Sequence, residues 1–368
     1  MQLLLKICEE SDLKAVVELN IEEYSPDFFT NNRHFKRNFI NVKTPDSFLL
    51  CAYEGNLLIG TTGMIISRYF YKGKTIKLAL ISNSLIRKSC RFKLIREEEG
   101  LKTIYAKLLE RSEEIAKERG CVAAFAFPNQ NSFPHLVRNL GYKFIDKLDL
   151  LFLPINLAKL VKIRYPKLVL INKIAGSFLS LFYDITHFGI KRNWKYSLYS
   201  ISNLDDIEKL WQRNPADKNL TLLRDRVYFE WRLAQEDYNC LGIFKGNTIE
   251  GYIVWRSRGM IDRRINKTYN CAAIIDFWFN EDFIKSNGLG GAIYEIKEKA
   301  KSQGALFIFS FVKLPKHIQK IFEKSGFLFF KKGLLEKKIP LVVKELEDSF
   351  RFPEIESCFL TMADNDII

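Results

Sequence analysis

Residues 125–144 read FAFPNQNSFPHLVRNLGYKF. A short apolar run ends at Phe127, Pro128-Asn129 turns the chain, a short helix is expected over 131–140, and Gly141 stops it before a strand begins at Tyr142. Much later, residues 309–313 (FSFVK) and 325–329 (SGFLF) repeat the same grammar around a second short helix. Working outward from the first copy, Leu101–Arg119 carries Ile104, Leu108, Leu109 and Ile115 at helical spacing and ends at Gly120. Before it lies a meander of strands: 48–53, the turn Glu54-Gly55-Asn56, 57–67 and 76–86. Two helices, 12–20 and 31–40, and a first strand, 3–8, precede that meander. The order is β-α-α-β-β-β-α-β-α-β, and from about Leu198 it begins again, with a long helix expected over 289–303.

The composition suits packed domains: 368 residues, 47% hydrophobic and 27% charged. Four boundaries follow: a first domain over 1–153, a basic and apolar connecting segment over 154–197, a second domain over 198–340 and a tail over 341–368. Seven cysteines without a C-x-x-C pair, and four scattered histidines, give no disulfide framework and no local metal motif, so no metal cofactor is expected. Met1–Ile7 runs straight into Glu9, Glu10 and Asp12, which reads as a first strand rather than a secretion signal, so a cytoplasmic location is expected. The net charge is +14, and residues 151–200 hold eight Lys and Arg against Asp184 alone. Such a segment suits anions, and a peripheral contact of 154–197 with an acidic membrane surface is one reading. No nucleic-acid recognition motif accompanies the charge, which argues against nucleic acid as the main partner.

This element order, with a long helix after the fourth strand and a short helix closing on Gly-Tyr or Gly-Phe, resembles the GNAT superfamily of acyl-CoA-dependent N-acetyltransferases. The resemblance rests on 127–142 and on Ser325-Gly326-Phe327, and covers about 1–153 and 198–340. In tandem form it is similar to two-domain acyltransferases of bacterial surface-polysaccharide and cell-wall modification. It implies an α+β fold of two tandem domains, each a mixed, mostly antiparallel sheet flanked by helices. Its expected co-substrate is acetyl-CoA or another acyl-CoA, and its expected acceptor an amine on an amino sugar, amino acid or peptide.

The superfamily's diphosphate loop, Q/R-x-x-G-x-G/A, opens the long helix and turns its backbone N–H groups toward the anion. In the second half Asn287, Gly288, Leu289, Gly290, Gly291 and Ala292 occupy this place; Gly290 and Ala292 match, and Asn287 replaces Q/R. In the first half Thr103 and Tyr105 stand at the small positions, Glu97, Glu98 and Glu99 would repel phosphate, and Lys102 could compensate. Asp276, a carboxylate inside the apolar run 272–277, is the candidate general base. The equivalent first-half strand offers Asn83 and Ser84. The superfamily's usual tyrosine acid is replaced by Val137 and Phe322, so another tyrosine or solvent must protonate the thiolate. Two other readings stay open: a non-catalytic binding protein of the same fold, and a Fem-like transferase moving an aminoacyl group from charged RNA to a lipid-linked cell-wall precursor.

Overall fold

The structure is a computed structural model, and it describes residues 3–23, 32–40, 46–97, 100–156, 159–160, 196–201, 204–213, 220–232, 238–262, 267–286, 288–330 and 339–364. The connecting segment expected over 154–197 therefore lies almost wholly outside the described residues.

In the first half, strand β1 (Leu3–Ile7) leads into helix α1 (Leu13–Glu23) and the short helix α2 (Asn32–Phe35), which continues as a π-turn over Lys36–Ile40. The meander follows as β2 (Phe48–Glu54), β3 (Leu57–Tyr71) and β4 (Lys74–Ile86). The polar stretch before the long helix forms a separate hairpin, β5 (Leu94–Glu97) with β6 (Gly100–Thr103). Helix α3 therefore starts at Ile104 rather than at 101. Thr103 stops the strand and caps the helix, its hydroxyl accepting from Ala106 N at 3.2 Å. Strand β7 (Cys121–Ala126), helix α4 (Ser132–Asn139) and strand β8 (Lys143–Lys147) complete the run. Gly141 takes φ +75°, the left-handed conformation that the sequence assigned it.

Next, β9 (Asp149–Pro154) and β10 (Ser197–Ser200) flank the connecting segment. Helix α5 (Leu204–Arg213), strand β11 (Leu220–Leu222) and helix α6 (Arg226–Arg232) lead to a second meander: β12 (Asn239–Lys245), β13 (Thr248–Asp262) and β14 (Lys267–Phe279). Helices α7 (Glu281–Lys285) and α8 (Leu289–Ser302), strand β15 (Phe307–Val312), helix α9 (Lys316–Lys324) and strand β16 (Leu328–Phe330) follow. The chain closes with β17 (Pro340–Glu345) and β18 (Cys358–Phe359).

The sheet order corrects the expected domain boundaries. The first sheet runs β1-β2-β3-β4-β7-β17-β8, and the second β10-β12-β13-β14-β15-β9-β16. Each half has thus given its last strand to the other. Strand β17, expected within a tail, lies between β7 and β8, with Val342 opposite Ala126 and Phe144. Strand β9, expected to finish the first domain, lies between β15 and β16, with Leu151 opposite Ser310 and Phe329. Only Leu148 separates β8 from β9; its side chain is buried and its N–H donates to Ile339 O at 2.9 Å, so the two crossing segments are tied together at the crossover. Strand β11 adds a third link, pairing β3 on one side and β18 on the other.

One core fills the space between the first sheet, α1, α2 and the whole second half, while a smaller one lies beneath α3 on the first sheet's other face. The first half therefore has one face against α3 and α4 and the opposite face against α2, with the sheet between.

Candidate active site

Both halves share a device: two neighbouring parallel strands that pair briefly and then separate. In the first half β4 pairs β7 only over Lys77–Leu80 with Cys121–Phe125, and past that point β7 keeps β17 as its partner while β4 keeps β3. Where β4 comes free it carries a bulge. Thr61 faces Leu85 and Gly63 faces Ser82, so Asn83 and Ser84 together oppose Thr62. Asn83 is held at φ +49°, a conformation few non-glycine residues adopt, and its carbonyl accepts from Thr61 Oγ1 at 3.0 Å.

The bulge turns one residue to each side of the sheet. On the α2 side, the Asn83 amide nitrogen stands 3.1 Å from His34 Nε2, and Asn38 approaches the same imidazole at 3.4 Å. Gly63 permits this closeness: a Cβ there would come within 2.6 Å of the Phe39 ring. On the α3 side, the Ser84 hydroxyl lies beside the Tyr105 phenol. The Tyr105 ring packs on His135 of α4 at 5.5 Å between centroids, and Asn139 stands 2.8 Å from His135 Nδ1. Burial pushes Tyr105 up to about 12 and lowers His135 below its ordinary value, so near pH 7 the phenol keeps its proton and the imidazole is neutral. Among the described residues, three buried oxygens in this neighbourhood, Thr62 Oγ1, Ser84 Oγ and Asn38 Oδ1, have no hydrogen-bond partner. A buried polar group left unpaired costs about 1–3 kcal/mol, which makes this neighbourhood a candidate place for polar atoms from outside the chain.

The second half repeats the separation and then closes it. Strand β14 pairs β15 only at Ala272–Ile308 and Ala273–Phe309. Its bulge falls at Ile275, and Asp276 follows. Asp276 is wholly buried, as is Arg224. Arg224 Nη2 donates to Asp276 Oδ1 at 2.8 Å and Nε to Oδ2 at 3.1 Å; Tyr252 OH donates to Oδ2 at 2.9 Å, and Thr361 Oγ1 to Oδ1 at 3.0 Å. Arg224 Nη1 is spent on Thr221 Oγ1 at 2.7 Å and Leu222 O at 2.9 Å, and the Trp278 and Phe359 rings each flank the guanidinium about 5 Å away. The segment after β18 fills the rest of the gap: Leu360 and Lys313 exchange both backbone hydrogen bonds at 2.8 Å.

These contacts argue against Asp276 as the general base. Its oxygens already accept from an arginine, a tyrosine and a threonine, and no surface is open through which a substrate proton could arrive. Asp276 is half of a structural ion pair. The loop expected to hold cofactor is also covered. Gly288, Leu289, Gly290, Gly291 and Ala292 are all buried, and a Cβ on Gly288 would lie 2.4 Å from the Phe283 ring of α7. Asn287 lies outside the described residues. His34, Tyr105 and His135 escaped sequence reading because each sits on a helix at a spacing that also suits packing. The local signal was the polar triplet Ser82-Asn83-Ser84 inside an apolar strand.

Asp364 completes the closure. Its Oδ1 accepts from Tyr69 OH of β3 at 2.8 Å and its Oδ2 from Thr361 N at 2.7 Å. Burial raises its carboxyl to about 6, opposed by Arg224. The folded-state value thus lies above the unfolded one of roughly 4. The cost of ionising Asp364 is fully present above pH 6 and is relieved as pH falls from about 6 toward 4, a change of about 2–3 kcal/mol for the two-unit span. Thermal denaturation of wild type and Asp364→Asn between pH 4 and 8 isolates this slope from other carboxylates: the wild type should gain stability relative to the variant as pH falls. A constant difference would show that Asp364 does not titrate in that window.

The chain is similar over nearly its whole length to solved structures of GCN5-related N-acetyltransferases and other N-acyltransferases. A GCN5-related N-acetyltransferase from Anabaena variabilis is 10% identical with a TM-score of 0.60, over 94% of this chain and 73% of that one. A probable N-acyltransferase from Enterococcus faecalis is 10% identical with a TM-score of 0.58, over 94% and 73%. N-myristoyltransferase of Saccharomyces cerevisiae, solved with bound myristoyl-CoA, is 13% identical with a TM-score of 0.59, over 93% and 79%. At these identities the likeness establishes the fold. No family model matches the chain, and no curated protein does. Among the described residues no helix is long and apolar enough to cross a membrane.

Proposed function

We propose that the chain is an acyl-CoA-dependent N-acyltransferase whose reaction takes place at the first-half bulge. The observation that supports this is the contrast between the two halves: one separation carries a bulge with a strained asparagine beside His34 and Tyr105, and the other is filled by Arg224, Asp276 and Thr361. In this reading acyl-CoA approaches on the α3 and α4 side and the acceptor amine on the α2 side. His34 takes the amine's proton as nitrogen attacks the thioester carbon. The C–N bond forms, the C–S bond breaks, and the departing thiolate receives the Tyr105 proton, with the His135 ring packed against that phenol. The acceptor class is an amine on an amino sugar, amino acid or peptide, and a contact of 154–197 with an acidic membrane surface belongs to the same reading, supported by its excess of Lys and Arg.

Calorimetric titration of CoA, acetyl-CoA and a long-chain acyl-CoA into wild type, Ser84→Leu and Gly290→Glu tests the placement, with circular dichroism to confirm that each variant is folded. Binding should be lost in Ser84→Leu and kept in Gly290→Glu. The reverse pattern would return the cofactor to the loop at 287–292, and no binding by the wild type would leave the non-catalytic and aminoacyl-transfer readings in front. Once an acceptor is found, Tyr105→Phe should lower kcat by about 10²–10⁴-fold with little change in KM.

A further inference from the structure

A diphosphate held at the first turn of a helix needs free backbone N–H groups, small residues that let it approach, and no competing negative charge. Neither half offers all three. In the second half Phe283 roofs the turn before α8: a Cβ on Gly288 would lie 2.4 Å from that ring, and Leu289, Gly290, Gly291 and Ala292 are buried. In the first half the Thr103 hydroxyl already accepts from Ala106 N at 3.2 Å, so an anion at the first turn of α3 must displace a bond that the chain makes for itself. Thr103 and Tyr105 are bulky where approach needs small residues, and the Tyr105 ring is packed on His135. Lys102, the cation that the sequence offered as compensation, is taken: its Nζ pairs with Glu110 at 3.0 Å. Just upstream stand Glu97, Glu98 and Glu99, whose charge opposes phosphate.

The same place suits the remainder of an acyl donor. From Ile81 onward β4 has β3 alone as a strand partner, so its other edge is open beside Ser84 and Tyr105. An open strand edge pairs with extended chains that carry amides, and the pantetheine arm of a thioester donor is such a chain. We infer that this protein recognises its donor by the acyl group and the pantetheine arm and gains nothing from the nucleoside diphosphate. Its donors are therefore acyl-pantetheine thioesters at large, with acyl-CoA one among them. The inference rests on acyl transfer at the first-half bulge and narrows the substrate class of that reaction.

The test is calorimetric titration of the full chain with acetyl-CoA and a long-chain acyl-CoA, each beside the pantetheine thioester of the same acyl group, and with ADP. The members of each pair should bind within about threefold of each other. ADP should displace neither, and acyl-CoA should bind no more weakly as salt rises. A diphosphate held by two charge-assisted hydrogen bonds would instead make acyl-CoA about a hundredfold tighter than its partner. That difference, with displacement by ADP, would overturn the inference while leaving acyl transfer standing; binding of no thioester at all would remove both. A variant supplies the converse. Thr103→Gly combined with Glu97→Gln, Glu98→Gln and Glu99→Gln frees the Ala106 N–H and removes the opposing charge, and circular dichroism would confirm that its helices are intact. It should bind acyl-CoA about tenfold more tightly than the wild type and acyl-pantetheine as before. No gain, or an equal gain for both, would show that the cap and the glutamates do not exclude the diphosphate, and the inference would fall.

Discussion

Arg224→Leu is expected to destabilise the protein by about 3–5 kcal/mol. The leucine fills much of the space but leaves the Asp276 carboxylate buried among Tyr252, Tyr228 and Thr361 with no cation. It also leaves Thr221 Oγ1 and Leu222 O without their donor. The distinguishing experiment is a double-mutant cycle. Asp276→Leu alone should be similarly costly, because the guanidinium is then the stranded charge. The double substitution should be markedly more stable than either single one, because removing both charges removes both desolvation costs. Urea denaturation reads all four proteins. Additive losses would mean that the pair is not coupled and that Asp276 is free for other work, which would reopen its candidacy as a base.

The second large effect comes from the exchanged strands. Val342→Asp places a charge between β7 and β8, where the wild-type side chain is wholly buried, and should cost about 4 kcal/mol or more. The location of the damage is the sharper test. Hydrogen exchange should accelerate at Ala123–Ala126 and Lys143–Lys147, some 200 positions away in sequence, before it accelerates in β12 or β13. Leu151→Asp should do the converse, loosening β15 and β16 although it lies within the first 153 residues. If each substitution loosened only the half nearest in sequence, the strand exchange would be refuted.

Most of what could be read in advance was local. The long helices announced themselves through Leu108, Leu109 and Ile115 at helical spacing, and Gly141 and Gly326 marked the ends of short helices, both at positive φ. The hairpin at 94–103 was missed because Leu94 and Leu101 face water and Ile95 alone turns inward, which leaves no alternating apolar pattern. Strand β17 read as tail because its partners, β7 and β8, lie about 200 residues upstream, and a strand buried on both faces looks the same in either sheet. Asp276 drew notice as a carboxylate in an apolar run, and rightly so, but its role was written by Arg224, 52 positions before it, and Thr361, 85 after. A one-dimensional reading shows that a buried charge needs an answer; it does not show which residue gives it.

The exchange of β9 and β17 also bears on how the protein is made. When β8 leaves the ribosome, its neighbour in the first sheet does not yet exist, and 198 further residues must be polymerised before Glu345 appears. At about 5–20 residues per second this is a wait of about 10–40 s. Throughout it β7 presents an unpaired edge, the kind of surface that recruits strands from other nascent chains. Contacts of such long sequence separation form slowly even once both partners are present. The first sheet therefore cannot close before β17 has been made, and the protein's yield in a cell should respond to translation speed and to chaperones that shield strand edges.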